Sequence, residues 1–445
     1  MKVKKQISKL VKPNYEGKDL HSTSSNNIPL SIFDTLTFDT QVAIIYAFHP
    51  PTPSYAFHPP TPSNTTIEKG LAKALAEYRE WAGRLGEDTD GKPVILLNDK
   101  GARFVESTVD CTLQEYLMPF KPSSTLLTLH PPLEGGVEEL VQVQLTRFTC
   151  GSLAVGFTAH HLVADGQATS NFLVAWGRAT RGVHLGPLPT HDRTIFRPRD
   201  PPQIEFEHRG VEYEPMKKKP AVYDDCDPDV IVHKTHYTKE FLMKLKSKAS
   251  AGAPKPYSTF ESLIAHLWRA TTKARRLHAL ETTQVRISVN GRSRLGPGTV
   301  SNDYFGNLVL WAFPRSQVKS LVSEPIQYAA RLIHDAIAKV DGDYFRSFID
   351  FANSGAVEKE GLVTTADMTK LVLCPNLEVD SWLRFPFYDL DFGGGCPDLF
   401  MPTYSPVEGM LFLVPSFVGD GSIDVYVPLH EKNMSTFKQI CYNVD

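Results

Sequence analysis

Cysteine is scarce and unpatterned in this chain. Its six cysteines, at positions 111, 150, 226, 374, 396 and 441, form no CxxC pair and no metal-type spacing. That excludes a disulfide framework and a zinc module, and reduced thiols in a cytoplasmic protein are expected. Long apolar runs are missing too: no stretch approaches the roughly 18 uninterrupted apolar residues of a membrane span. The basic stretch MKVKKQISKLVKPNY is followed by no such run, so it does not read as a secretory signal. Nor is there an excess of positive charge. Lys and Arg number 47 against 50 Asp and Glu, for a net charge of −3. Neither nucleic acid nor an anionic membrane surface would find a concentrated field here. What is present is ordinary globular material, 42% hydrophobic and 22% charged over 445 residues, enough for two domains.

Strand and helix patterns intermix along the chain. FDTQVAIIYAF (38–48) is β-branched and aromatic and predicts a strand. The segment YAFHPPTPS at 46–54 recurs verbatim at 55–63; its Pro-Pro pairs predict a duplicated surface loop. Thr65 and Glu68 have capping-box spacing, and Leu71, Leu75, Tyr78, Ala82 and Leu85 follow on one helical face. KPVILLND (92–99) reads as a short strand, and residues 140–161 as two strands around a Cys-Gly-Ser turn. QATSNFLVAWGRATRG reads as a helix ending at Gly182. Residues 186–222 then turn proline- and charge-rich without any period. They predict a crossover linker between an N-terminal domain, 1–185, and a C-terminal domain, 223–445. The second half restarts with a helix capped by Ser258 and Glu261, then an alternating strand through Val285, Ile287 and Val289. MLFLVPSFVGDGSIDVYVPL predicts a hairpin about Gly-Asp-Gly. The fold class expected is α/β, with sheet and helix in both domains.

The chemistry concentrates in TAHHLVADGQA (158–168). Alternation puts His161 on the side of Leu153, Val155, Phe157 and Ala159, and His160 on the other with Thr158. A histidine leaving a strand before a tight turn is well placed to enter a cleft. Asp165 could orient that imidazole, as in a triad, or turn away and tie the loop down through a basic partner. A metal site from His160, His161 and Asp165 is disfavoured, because adjacent strand residues point oppositely. By itself the HxxxD spacing occurs often by chance.

HHxxxDG at 160–166 followed far downstream by DFGGG at 391–395 resembles the BAHD acyl-CoA-dependent acyltransferases. NNIPLSIFD near the start, NGRSR (290–294), YFGN (304–307) and PNLEVDSW (375–382) match in the family's order, so the resemblance spans nearly the whole chain. It implies two chloramphenicol-acetyltransferase-like domains of mixed sheet and helices with a central channel between them. It makes His161 the catalytic general base and His160 structural, with acyl-CoA as co-substrate and no permanently bound cofactor or metal. No covalent acyl-enzyme is implied, so no nucleophilic Ser or Cys is sought. Asp165 is expected to face away from substrate and pair with Arg292. Asp391 is expected to anchor a loop by a salt bridge, with Gly393 and Gly395 letting it bend. Gly394 stands where the family carries tryptophan, a departure taken as a subfamily trait.

The acceptor is read from the segment matching the family's acceptor pocket. Where branches acting on shikimate or quinate have threonine before the SW pair, this chain has Asp380, and their carboxylate-binding arginine falls at Asp367. Glu378 adds a third acid; Ser381 and Trp382 lie where relatives support the tetrahedral intermediate and the donor's ring. A pocket so lined repels acids and draws cations. EVDSWLR and REWAGRLG are shared with the grass amine N-hydroxycinnamoyltransferases, which implies a coumaroyl- or feruloyl-CoA donor. The amine acceptor would be agmatine, putrescine or tryptamine, and the product a phenolamide. An O-acyltransferase acting on an alcohol and a benzoyl-CoA-using amine acyltransferase stay open. So, on the strength of Gly394 alone, does a non-catalytic relative. A monomer without nucleic-acid or membrane partners is expected.

Overall fold

The alternating run after Phe38 forms the strand Gln41–Phe48, inner member of a six-stranded sheet. The computed structural model describes residues 2–17, 26–50, 62–117, 122–132, 136–216, 229–296, 298–366 and 370–444. The duplicated copy 55–63 lies mostly outside them. Across this sheet the strands run Lys4–Val11, Ala102–Val109, Val141–Phe148, Leu153–His160, Gln41–Phe48 and Leu399–Pro402. Pairing is antiparallel except between Ala102–Val109 and Val141–Phe148.

Its central strands are buried on both faces. Val143, Leu145, Val155 and Phe157 are apolar and nearly fully buried; Phe157 lies 5.9 Å from Phe172 of the helix Gly166–Thr180. Gln142, Gln144, Thr146 and Thr158 alternate with them and are buried as well. Their face is covered by the segment around residues 124–132, where Gln144 Nε2 donates to the Thr128 carbonyl at 2.8 Å. That segment comes so close that a Cβ at position 156 would sit 2.1 Å from the Leu129 carbonyl oxygen. Glycine is therefore required at Gly156.

A second sheet orders Val230–Tyr237, Ile423–His430, Met410–Pro415, Leu377–Ser381, Thr282–Asn290 and Val309–Ala312, with Arg315–Gln317 paired to one end of Thr282–Asn290. Val285, Ile287, Val379, Leu411 and Val425 form its buried apolar register; the helix Thr259–Arg275, capped by the Ser258/Glu261 box, belongs to the same unit.

The chain groups into two compact units. One holds Met1–Arg197, Pro297–Leu308 and Arg384–Tyr404; the other holds Pro198–Gly296, Val309–Leu383 and Ser405–Asp445. The division near Arg197 falls inside the predicted linker 186–222, but the units are not the contiguous blocks 1–185 and 223–445. DFGGG, expected in the C-terminal domain, packs in the first unit, because Leu399–Pro402 adds a strand to Gln41–Phe48. Nor are the described residues of that linker, 186–216, featureless: Thr190 bridges to Tyr304, and Tyr213–Pro215 pairs with Leu362–Thr364. One cap is also corrected. The helix Asn64–Glu77 is capped by Ser63, which accepts from the Thr66 N–H, not by a Thr65/Glu68 box. It stops at Glu77, so Ala82 and Leu85 belong to a 3₁₀ turn and a strand.

Candidate active site

The strand Leu153–His160 ends one residue before His161, so the alternation stops short of it and the ring is set by the turn that follows. That turn is pinned from several sides. The His161 N–H donates to the Thr40 carbonyl at 2.9 Å, and its own carbonyl accepts from Asn307 Nδ2 at 2.9 Å. Nδ1 lies 3.1 Å from the Thr37 hydroxyl, and Phe38 meets the ring edge-on at 6.0 Å. The residue keeps partial exposure. Burial lowers the imidazole pKa below its ordinary value, against the opposing pull of Asp165, Asn307 and Asp34. At neutral pH such a ring is uncharged and able to accept a proton.

His160 differs from its neighbour. Its Nε2 lies 3.5 Å from the exposed Asp39, and burial lowers its pKa. Asp165 caps the helix Gly166–Thr180 through Oδ1, which accepts from the Ala168 N–H at 3.0 Å. Its Oδ2 accepts from the Leu308 N–H, also at 3.0 Å. Both oxygens therefore hold main chain, one at each side of the turn. Arg292, nearly fully buried, begins a short helix in the second unit.

Asp391 Oδ1 accepts from the N–H groups of Gly393 and Gly395 at 2.7 and 2.9 Å, and Oδ2 lies 3.1 Å from Arg181. Both glycines have φ above +100°, a conformation side chains avoid. Phe392 packs between Trp176 and Phe48, with ring centroids 4.7 and 5.6 Å away. DFGGG thus builds a packed corner of the first unit without the family tryptophan.

In the second unit the strand Leu377–Ser381 alternates buried Leu377 and Val379 with partly exposed Glu378 and Asp380. Glu378 lies 3.6 Å from Arg286, its neighbour in register, whose guanidinium stacks 3.9 Å from the Trp311 centroid. Burial raises the Glu378 carboxyl against the pull of Arg286. Burial and the nearby Glu378 push Asp380 up to about 6, while a hydrogen bond from Trp382 acts against them. The Trp382 ring is buried 5.3 Å from Phe412, and Ser381 closes the strand with partial exposure. Asp367 lies outside the described residues. Two of the three predicted acids therefore share one partly desolvated face, with an aromatic at its end.

Residue-level reasoning assigned no role to Thr37, Arg193, Asn307 or Arg286. NNIPLSIFD and YFGN were recognisable as motifs, but nothing in their local pattern joins Asp34 to Asn307. Arg193 sits in an aperiodic stretch that carries no signal. Among the described residues no cluster of His, Cys, Asp and Glu could hold a metal ion, and no helix is long and apolar enough to cross a membrane.

Comparison with known proteins places this geometry in a class. Residues 1–444 match the transferase family, and the chain belongs to it: it is a BAHD-type acyltransferase. It is 52% identical to agmatine coumaroyltransferase-1 of Hordeum vulgare and 53% identical to putrescine hydroxycinnamoyltransferase 3 of Oryza sativa subsp. japonica, each over 100% of both chains. The crystal structure of vinorine synthase superposes with a TM-score of 0.73 at 21% identity, over 98% of this chain and 96% of that one, a likeness of fold.

Proposed function

We propose that this protein transfers a hydroxycinnamoyl group, coumaroyl or feruloyl, from coenzyme A to an amine such as agmatine, putrescine or tryptamine, forming a phenolamide. His161 is the general base. With Nδ1 held at Thr37, Nε2 takes a proton from the acceptor nitrogen as that nitrogen attacks the thioester carbonyl. The tetrahedral intermediate collapses, the C–S bond breaks, and the imidazolium returns the proton to the departing thiolate. One proton is taken and one returned, so the enzyme ends as it began. Asp165 and Arg292 hold the shape of the turn, and Asp391, Gly393 and Gly395 that of the distal corner.

The observation that carries the choice of acceptor is the desolvated pair Glu378 and Asp380. Charge pairing in a partly dry site is far stronger than in water, so these acids favour a cationic acceptor and disfavour shikimate or quinate. A diamine can leave one charged end with them while its other nitrogen, deprotonated, reacts. Asp367 is assigned to the same recognition, Ser381 to the intermediate and Trp382 to the donor ring. The two plant relatives, named for agmatine and putrescine, support this reading. The enzyme is proposed to act as a cytoplasmic monomer.

A matrix of agmatine, putrescine, tryptamine, tyramine and shikimate against coumaroyl-, feruloyl- and benzoyl-CoA tests the proposal. Amide formation with diamines and none with shikimate is expected. His161→Ala should lose about 10²- to 10⁴-fold in kcat. Asp380→Thr should weaken agmatine more than tyramine. Preference for an alcohol, or equal loss on both amines, would overturn the assignment.

A further inference from the structure

Two sequence motifs that the mechanism leaves without a role meet behind His161. NNIPLSIFD ends in Asp34, and YFGN ends in Asn307. Asp34 is fully buried in the short helix Ile32–Leu36. Its Oδ2 accepts from the Ser31 N–H at 2.7 Å and lies 2.9 Å from Arg193 Nη1. Its Oδ1 accepts from both the main-chain N–H and the side-chain Nδ2 of Asn307, each at 2.9 Å. One carboxylate therefore takes four hydrogen bonds from three separate parts of the chain. Nδ2 of Asn307 also donates to the His161 carbonyl. Arg193, almost fully buried, extends Nη2 to the carbonyls of Val163 and Phe305 at 3.0 and 3.4 Å. On its other side the Asp34 helix ends at Thr37, whose hydroxyl faces His161 Nδ1.

We propose that Asp34 is the hub of a positioning set, with Arg193, Asn307 and Thr37, that fixes both the main chain and the ring orientation of His161. The set rests on the reading of His161 as the base. Each member acts through the histidine. Charge makes the arrangement specific. A buried carboxylate holding four donors is a rigid anchor, because losing any partner leaves a desolvated group unpaired. Arg193 balances Asp34, and its forked donors also clamp the residue two beyond His161 and the start of the Asn307 turn. A lysine could not make those contacts. Asp165 tethers the far side of the same turn through Leu308, so His161 is held between two carboxylates with separate duties.

The titratable and charged groups around the ring are Asp165 at the helix cap, Asp34 with its partner Arg193, and His160, the last residue of the preceding strand. Asp34 and Asn307 both favour protonation of His161. Weakening either moves the acidic limb of the pH–rate profile to lower pH, while misplacement of the ring lowers the plateau.

The test uses the full-length enzyme with coumaroyl-CoA and agmatine. Asn307→Ala is expected to lower kcat about 10²-fold, as a misplacement of about 1 Å does, with KM for coumaroyl-CoA little changed and the acidic limb shifted down. Asp34→Asn should do the same. Thr37→Val and Thr37→Ser form a second arm in case those buried variants fold poorly: valine should lower kcat at least about tenfold and serine should restore it. His161→Ala runs alongside. Wild-type kcat and pH profile in folded Asn307→Ala, or equal activity of the two Thr37 variants, overturns this proposal while leaving the base in place. Retained turnover in His161→Ala overturns the base instead.

Discussion

His161 and Asp380 are both buried enough to shift their titration, in directions that suit different tasks. The imidazole is pushed down toward the neutral form, as the proposed role of base requires. The carboxyl is pushed up to about 6 by burial beside Glu378. The Asp380 shift has a consequence for stability. A folded-state pKa above the unfolded value means the folded chain holds that proton more tightly. The contribution is fully present below the unfolded pKa of about 3.9 and is lost as pH rises through the folded value near 6. If Asp380 recognises the acceptor as proposed, a dicationic acceptor binds the ionised form and offsets that loss. The rise in melting temperature produced by agmatine should therefore grow between about pH 5 and about pH 7. Asp380→Asn should flatten that growth. An undiminished pH dependence in the variant would assign the effect elsewhere, to Glu378 or to His161.

Among the helices, local chemistry was legible to different depths. For Thr259–Arg275 the Ser-x-x-Glu box stands alone before a long apolar period, and Glu261 Oε2 accepts from the Ser258 N–H at 2.6 Å, as the spacing requires. For Asn64–Glu77 the start reads Ser-Asn-Thr-Thr, four residues that can each cap. Nothing local chooses among them. Burial of Ile67, Leu71 and Leu75 sets the phase of the helix, and Ser63 becomes the cap. Ser63→Ala should cost about 1 kcal/mol in urea unfolding, whereas exposed Thr65→Ala should stay within about 0.5 kcal/mol. The reverse order would restore the Thr65 cap. Strands were read well wherever alternation was strong, as in Thr282–Asn290. At Leu153–His160 the alternation held to the end of the strand but did not reach His161.

For the molecule as a whole, the first unit is completed from far downstream. Leu399–Pro402 closes one edge of its sheet, and Asn307 reaches Asp34 across 273 residues. Residues 1–197 expressed alone should therefore show no cooperative thermal transition, since they lack a strand, the DFGGG corner and the Asn307 anchor. A sharp melt of that fragment, followed by circular dichroism, would contradict the interleaved architecture. Periodicity, cap chemistry and the spacing of motifs act within ten or so residues. They sufficed for the mixed α/β class and most individual elements, and they drew attention to the histidine turn; the acids of PNLEVDSW were singled out by the family resemblance. Where Arg193 goes, which carboxylate anchors His161 and which unit DFGGG joins depend on segments hundreds of positions apart returning to one another. No short-range pattern carries that information, because the residues beside one partner of a long-range hydrogen bond do not specify which distant residue the other partner is.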